Sequence, residues 1–418
     1  MANSNLPVNV YQNFNALVDN ATGAGSNNLD LSTTITVGQA AQMYGYENTL
    51  NKLSLALGRV LMAVRPYRSR FGLIESDPEE YGQYMRKISY FSGAFEDSQD
   101  WNTTQTGDKL VDGQVVDHYK IQKRYPLEVW FGGSKVLQKH YTRFRKQLKL
   151  AFSNAEDFAR FYEGEAVQLN NEIQMLKEIE NRAVVLNGIA GCYAQTKTAT
   201  AAQKFPAGMA RNMTKEYNDK YGTKYTTAQL LTTYLKEFTQ FFVSELKYQS
   251  NLLEQATELY HVTPKNVKGD GNATLHLWRH TPKAEQRLML ASNVLYDMES
   301  MVFPEIFHDG YLRIENYEAV PFWSTPSNPL NVPVTKANVI NPTTGASIDA
   351  TVDMSGAKVL GVLFDRWAIT TCYHQEDVVT TPVNAAGDYY NTFYHWCKDY
   401  RNDFTENMVL FYMEDVAA

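Results

Sequence analysis

The amino-acid sequence predicts an α+β fold, in which helices and strands mix without the regular βαβ alternation of a parallel sheet. A proline-free stretch over residues 153–188 repeats apolar residues at helical spacing. Strand-like runs occupy residues 87–95 and 125–133, and more of them fill the last sixty residues. The chain has 418 residues, of which 44% are hydrophobic and 20% charged. This composition is typical of a globular protein with two or three domains or one elaborate fold.

The N-terminal region is predicted to be an arm with little core of its own. Residues 1–45 are rich in Asn, Ser, Thr and Gly. Residues 47–64 then place apolar side chains at the spacing of a short amphipathic helix. The first residues show no secretory leader, and no apolar run reaches the roughly 18 residues that a membrane-spanning helix needs.

The next region is polarised in charge along the chain. Residues 75–117 hold ten acidic and three basic residues, whereas residues 120–149 hold nine basic residues and one acidic residue. Because a turn-like stretch lies between two strand-like runs, we expect a long hairpin with an acidic outgoing arm and a basic returning arm. The segment 135–150 fits both strand and helix spacing, and strand is favoured.

The basic segment is the main candidate binding surface in the sequence. In a chain of net charge −7, a local concentration of positive charge indicates contact with nucleic acid, a membrane or another copy of the chain. The acidic balance argues against general nucleic-acid binding, and a solvated charged face is a further alternative. The candidate contact residues are Lys139, Arg143, Arg145, Lys149, Glu79, Glu80, Glu96 and Asp97.

The clearest predicted element is one long helix over residues 153–188. Ser153 and Glu156 have capping-box spacing at its start. Asn187–Gly188 is the predicted C-terminal stop. Gly164 weakens a coiled-coil interpretation, so a single long helix lying across a sheet is expected.

The remaining chain is predicted to continue as a mixture of helices and strands. A second helix is expected from a capping box at Thr226 and Gln229, and a third from Thr281–Pro282, with proline at the favoured first position. Residues 322–356 are rich in Pro, Asn and Thr and are predicted to form a long surface insertion. Strands are predicted at 274–280, 311–320, 358–365, 366–374, 388–397 and 406–414.

Motifs for catalysis or metal binding are weak in this sequence. His276 and His280 are four residues apart, but structural histidines are favoured over metal ligands. Residues 374–379, beside Cys372, are interpreted as a polar turn between strands rather than a catalytic site. The aromatic run 389–396 could stack bases or sugars, but a buried or subunit-facing strand is favoured.

The three cysteines and the missing motifs point away from an enzyme. The cysteines are widely spaced and odd in number, which argues against a disulfide framework or a zinc site. The sequence contains no phosphate-loop, dinucleotide-binding, nucleophile-elbow or zinc-protease motif. We therefore expect a structural building block without cofactor or metal.

The last sixty residues combine several features, which are Asp365, Arg366, Trp367, Asn384, Gly387, the aromatic run 389–396 and the closing run 407–410. With these features they resemble the C-terminal part of the major capsid proteins of tailed bacteriophages. The resemblance implies a Hong Kong 97-like fold, nearest to that of small short-tailed podoviruses. That fold has an N-terminal arm, an extended loop (E-loop), a peripheral domain with a long spine helix, and an axial domain.

The resemblance also implies a division of the chain into four parts. Residues 1–64 would be the arm with its short helix, and residues 65–150 the E-loop hairpin. Residues 151–189 and 371–418 would form the peripheral domain with the spine helix. Residues 190–370 would form the axial domain, including the insertion 322–356.

The function implied by the resemblance is structural and not enzymatic. Copies would assemble as hexamers and pentamers into an icosahedral or prolate head shell around the double-stranded DNA genome. Implied partners are a separate scaffolding protein, a portal protein, decoration proteins and DNA bound without sequence specificity, with no membrane. The protein would reside in the virion after assembly in the bacterial cytoplasm, and the candidate acids and bases would pair between copies. The alternatives are a phage tail or surface structural protein and a carbohydrate-active enzyme.

Overall fold

A computed structural model of the chain shows which predicted elements form. It describes residues 65–76, 86–93, 119, 123–132, 135–144, 155–197, 208–265, 268–269, 275–301, 316–333, 335–341 and 344–415. The chain divides into two compact units. The larger unit comprises Ser69–Leu137, Leu176–Glu376 and Trp396–Ala418. The smaller unit comprises Met1–Arg68, Gln138–Met175 and Asp377–His395.

Helices and strands alternate irregularly along the chain. The first elements are β1 (Arg86–Tyr90), β2 (Pro126–Trp130), β3 (Lys135–Phe144), α1 (Ala155–Lys197), β4 (Ala210–Asn212), α2 (Met213–Tyr221), α3 (Thr227–Leu230) and α4 (Leu235–Leu253). The later ones are β5 (Gln286–Ala291), α5 (Ser292–Met301), β6 (Tyr317–Val320), β7 (Thr335–Ile340), β8 (Ser347–Val352), β9 (Lys358–Asp365), β10 (Ile369–Thr380), β11 (Tyr389–Asn402) and β12 (Met408–Met413).

A five-stranded sheet forms the centre of the larger unit, in the order β4-β12-β9-β5-β6. Strand β9 is antiparallel to both of its neighbours, whereas β4 and β6 add to the two edges in parallel. All six residues of β12 are buried. Helix α4 packs its aromatic side on this sheet, with the rings of Phe242 and Phe411 5.6 Å apart. The closing strands predicted at 358–365 and 406–414 are confirmed, and they occupy the middle of this sheet.

Strands β1 and β2 form the antiparallel pair that was expected from the two strand-like runs. Arg86 lies opposite Trp130, and Tyr90 lies opposite Pro126. Inner side chains of the pair pack in a small cluster of Phe91, Leu127 and Leu277. The pairing of the two runs is confirmed, while residues 94–118 between them lie outside the described part of the chain.

The basic segment forms a strand, as favoured, but it is not an arm of that hairpin. Strand β3 pairs instead with the aromatic strand β11, in a three-stranded sheet of order β10-β11-β3. Within the smaller unit, His140 stacks on Phe393 with ring centroids 5.1 Å apart, and Phe144 lies 5.5 Å from Tyr389. Aromatic side chains that alternate with the basic ones make this pairing favourable. The prediction that residues 135–144 belong to the returning arm of the hairpin is therefore wrong, whereas the pairing of the two strand-like runs stands.

The long helix is confirmed, but its predicted end at Asn187–Gly188 is wrong. Helix α1 has 43 residues and continues to Lys197. A side chain on Gly188 would approach Ile369 to 2.9 Å, and one on Gly191 would approach Phe404 to 2.1 Å. These glycines allow close packing of the helix rather than ending it. The predicted cap Ser153 lies outside the described residues.

The third predicted helix is wrong in its first half. After Pro282 a short 3-10 turn leads into strand β5, and helix α5 begins only at Ser292. Four consecutive buried residues, from Leu288 to Ala291, are the reason. Such a run suits a central strand that is buried on both faces better than an amphipathic helix with one polar side.

The structure also tests three smaller predictions. The capping box of Thr226 and Gln229 is confirmed, although it caps the four-residue helix α3, and the longer α4 follows after a turn. The polar turn predicted at residues 374–379 is wrong, because these residues continue strand β10. The interpretation of 322–356 as a surface insertion is wrong at Trp323 and Val332, which are buried in the core of the larger unit.

The predicted strand at 274–280 is reduced to isolated bridges. His276 bridges to Ser92, and Arg279 bridges to Thr257. The strand predicted at 311–320 is described only for Tyr317–Val320, where it pairs with β5. Among the described residues, no helix combines the length and apolar character needed to span a bilayer.

Candidate assembly surfaces

Lys139, a predicted contact residue, pairs with the chain's own long helix. Its Nζ forms an ion pair with Glu172, and the Tyr141 hydroxyl donates to the same carboxylate at 2.7 Å. The hydrogen bonds from Lys139 and then from Tyr141 lower the pKa of Glu172. The bond to Glu172 in turn raises the pKa of Lys139. This pair therefore holds β3 against α1 within the smaller unit.

Arg143, a second predicted contact residue, is buried within the smaller unit. Its residue is 8% exposed, and Nη2 lies 3.4 Å from Glu165 of α1. Nη1 donates to the Thr392 hydroxyl at 3.5 Å. A buried guanidinium with these neighbours acts first in the subunit's own packing.

The other predicted contact residues lie outside the described part of the chain. They are Arg145, Lys149, Glu79, Glu80, Glu96 and Asp97. Their role as contacts between copies stays a prediction, and so does that of Lys139 and Arg143.

A network of charges anchors strand β1 in the larger unit. Lys87 Nζ lies 2.5 Å from Asp403, whose side chain is 1% exposed, and it also pairs with Glu406. Arg279 lies 3.4 Å from the same Glu406 and donates to the Ser89 hydroxyl at 2.7 Å. Because these carboxylates are buried, their pairing with β1 fixes the position of the strand.

The opposite face of the β1–β2 pair points to solvent with large apolar side chains. Ile88 is 48% exposed, Tyr90 64% and Trp130 61%. They lie on one face, because Arg86 pairs with Trp130, Ile88 with Glu128 and Tyr90 with Pro126. Aromatic side chains exposed together in this way are typical of protein interfaces.

A second group, of exposed and half-buried side chains, extends this surface with guanidinium groups close to aromatic rings. The Arg86 guanidinium lies 5.8 Å from the Trp130 ring. The Arg401 guanidinium lies 5.9 Å from the Phe131 ring and 5.2 Å from the Trp367 ring, and Arg366 lies 4.9 Å from Trp367. We call this surface the arginine–aromatic face; its members are Arg86, Trp130, Phe131, Arg366, Trp367 and Arg401.

A cavity of about 410 Å³ opens beside the arginine–aromatic face. Trp130, Phe131 and Arg401 line it together with Tyr400. Hairpin β7–β8 supplies further polar and apolar lining, including Asn338 and Ile340. Sequence reasoning missed this site, because its members are separated by more than 200 residues and share no spacing motif.

The weak metal and catalytic candidates have structural surroundings. His276 lies 3.2 Å from Glu258. Within the described ranges, no group of three His, Cys, Asp or Glu side chains is arranged to hold a metal ion. Cys192, Cys372 and Cys397 are all buried and unbridged, and burial raises the pKa of the Cys192 thiol.

Comparison with solved structures identifies the architecture. No protein-family model and no curated protein matches the sequence. The capsid structure of Staphylococcus phage Andhra superposes with a TM-score of 0.52 at 10% identity, over 85% of this chain and 87% of that chain. The chain has the fold of a phage capsid protein. The structure of the head fiber and inner core protein gp22 of bacteriophage P68 superposes with a TM-score of 0.50 at 10% identity, over 86% of this chain and 87% of that chain.

The capsid fold confirms the fold class predicted from the sequence. It is a mixed helix and strand architecture, and the match extends well beyond the last sixty residues that suggested it. The assignments of the arm, the E-loop and the spine helix, with their domain boundaries, stay predictions. In this capsid fold, β1–β2 with its exposed aromatic face and the arginine–aromatic face are the candidate assembly surfaces.

Proposed function

We propose that the chain is a phage major capsid protein, the subunit of a head shell that encloses the genome. The observation that carries the proposal is the capsid fold, shared over 85% of this chain with the Andhra capsid structure. At this level of identity the likeness concerns architecture, so the function rests on the fold together with the chain's own surfaces.

The surfaces of the subunit support a role in self-association. Tyr90 and Trp130 are both exposed on the same face of the β1–β2 pair, at its two ends. In a monomer these exposed side chains contribute little stabilising free energy, whereas their burial in an interface between copies is favourable. The role we propose is structural and not enzymatic, with the virion as the location of the protein.

The partners we propose follow from a closed shell. Copies would assemble as hexamers and pentamers, guided by a separate scaffolding protein and joined at one vertex by a portal protein. Decoration proteins on the outside and double-stranded DNA on the inside would complete the particle. A chain of net charge −7 would hold DNA weakly and without sequence specificity, and assembly would take place in the bacterial cytoplasm.

A head-fibre or inner-core protein is the second candidate function. The likeness to the P68 head fiber and inner core protein structure, with its TM-score of 0.50, favours it. Such a protein would form fibres, rings or a core inside or on a head, rather than a shell of its own.

The decisive experiment is electron microscopy of the full-length chain, expressed with and without a phage scaffolding protein. Closed shells of uniform diameter are expected for a major capsid protein. Fibres or open rings would favour the second candidate, and small uniform particles at all concentrations would contradict both.

A further inference from the structure

We propose that the cavity beside the arginine–aromatic face binds one neutral pyranose sugar unit. This site goes beyond the proposed function, since a shell subunit needs no small-molecule ligand. All residues that line the cavity belong to the larger unit, and most of them come from β2, α1, the β7–β8 hairpin and the end of β11. The volume of about 410 Å³ is within the range of pockets that enclose small ligands.

Aromatic side chains line the part of the cavity that opens to solvent. Trp130 is 61% exposed and Tyr400 47%, and Phe131 joins them in the lining. Such rings offer a large, rigid apolar surface that loses little conformational freedom when a ligand binds. A pyranose ring has C–H groups on its faces, and these pack favourably on an aromatic ring.

Three asparagine side chains line the same cavity. They are Asn187 on α1, Asn338 on β7 and Asn402 on β11. An amide group accepts hydrogen bonds through its oxygen and donates them through its nitrogen, and a hydroxyl group also does both. Amide side chains are therefore suitable partners for the hydroxyl groups around the edge of a sugar ring.

Asn402 is held in place with one hydrogen-bonding position open. Its Nδ2 donates to the Val184 carbonyl oxygen at 3.0 Å. Its Oδ1 is buried, and no group in the part of the chain that the structure describes donates to it. A buried acceptor without a donor is unfavourable, so a ligand hydroxyl that reaches this oxygen gains more than it would from an exposed acceptor.

The charges in the lining favour a neutral ligand. They are one acid, Glu128, and one base, Arg401. Glu128 lies 3.3 Å from Arg86, and the Arg401 guanidinium lies 5.2 Å from the Trp367 ring. Because the two charges have opposite sign and both have neighbours of their own, neither a phosphate nor a cation is preferred. A purely apolar ligand would instead leave the amide groups without hydrogen-bond partners.

Saturation-transfer difference NMR on the full-length chain, as unassembled subunits, tests the proposal. Unassembled subunits are used because Trp130 also belongs to a candidate assembly surface. The probes are methyl α-D-mannopyranoside, methyl β-D-galactopyranoside and methyl β-D-glucopyranoside at millimolar concentration, which differ in the orientation of their hydroxyl groups. At least one of them is expected to receive saturation, most strongly at the C–H protons of one ring face.

Two substitutions assign the signal to this cavity. Trp130→Ala removes the stacking surface, and Asn187→Leu removes an amide group while keeping the size of the side chain. Each should reduce the transfer by about fivefold or more, as expected when a stacking or hydrogen-bonding partner is lost. The matched control is Trp278→Ala, because Trp278 is 50% exposed in the same unit but does not line the cavity. It should leave the transfer unchanged, and circular dichroism checks that each variant is folded.

The proposal is overturned if none of the three glycosides receives saturation from the folded chain. Transfer that survives both substitutions, or that Trp278→Ala abolishes, also overturns it. So does transfer to adenosine without transfer to any glycoside, which would indicate a pocket for a nucleobase. None of these results bears on shell formation, which electron microscopy measures separately.

A competition experiment distinguishes the two sources of a pyranose unit. Mannan that displaces the bound mannoside would show that the cavity accepts sugars at the ends of a polysaccharide. A mannoside signal that mannan leaves unchanged would show that the cavity takes free sugars. Either result supports the site.

Discussion

Lys87 shows how one side chain can hold an exposed element in place. Its ammonium group lies between Asp403 and Glu406, which are almost fully buried. We expect Lys87→Met to lower the free energy of unfolding by about 3 kcal/mol, because two buried carboxylates lose their counter-charge. Urea unfolding of unassembled subunits, followed by circular dichroism, measures the change.

The neighbouring residue provides the control for this prediction. Arg86 pairs with Glu128, but their side chains are 53% and 40% exposed. Arg86→Met should therefore change the free energy of unfolding by less than about 1 kcal/mol. Equal effects of the two substitutions would mean that burial does not set the strength of the Lys87 network.

His261 should make the stability of the larger unit depend on pH. The ring is buried, with Nε2 2.7 Å from the Leu277 carbonyl oxygen and Nδ1 3.0 Å from Asn407. Burial lowers the pKa of His261 below its ordinary value of 6.5. On acidification the unfolded chain therefore takes up the proton first, and the free energy of unfolding falls as the pH drops below about 6.5.

A variant of this histidine tests the effect. His261→Gln should reduce the difference in unfolding free energy between pH 7.5 and pH 5.5, whatever its effect at pH 7.5. An unchanged pH dependence in His261→Gln would contradict the assignment.

At the scale of elements, helix α1 depends on two glycines for its fit against the larger unit's core. Gly191 has no room for a side chain, because a Cβ there would lie 2.1 Å from the buried Phe404. Alanine favours an isolated helix over glycine by about 1 kcal/mol, whereas overpacking costs about 1–3 kcal/mol. We expect Gly191→Ala to be destabilising on balance.

Thermal unfolding of three variants measures this balance. Gly191→Ala should lower the midpoint temperature of unfolding. The double variant with Phe404→Leu should lower that midpoint by less than the sum of the two single substitutions. Gly356→Ala, with open space around its Cβ position, should change the midpoint little. A stabilised Gly191→Ala would show that helix propensity, and not packing, dominates there.

The elements also show where periodicity is a sufficient guide. A long helix is recognisable in residues 153–188, since its apolar stripe repeats over many turns. Its end is not, because the Asn187–Gly188 pair has the same appearance at a C-cap and at a close helix contact. Strand β5 was mistaken for a helix for a related reason: a short run of buried residues has no polar face to show its period.

At the scale of the whole molecule, residues of the basic segment have two different roles, one observed within the subunit and one predicted between copies. Arg143 is used inside the subunit, so Arg143→Glu would place like charges beside Glu165 and damage the fold. Arg145→Glu with Lys149→Glu is the cleaner test of the predicted contact between copies. We expect this double variant to give soluble, folded subunits that fail to form shells.

Sedimentation and electron microscopy measure that outcome against a charge-matched control. Lys220→Glu with Lys224→Glu makes the same change in charge at two exposed positions of the larger unit and should assemble normally. Normal shells from Arg145→Glu with Lys149→Glu would remove the basic segment from the list of assembly contacts.

The sequence by itself determined the mixed class, the long helix, the β1–β2 pair and the central closing strands. These depend on local spacing, on turn chemistry and on runs of apolar residues, all of which can be recognised within one segment. Only the tertiary structure decided that β3 pairs with the aromatic strand β11 and not with the β1–β2 pair, and that Arg143 is buried. It also brought Trp130, Trp367 and Arg401 together, because contacts between distant segments depend on how whole sheets and helices pack and leave no local pattern.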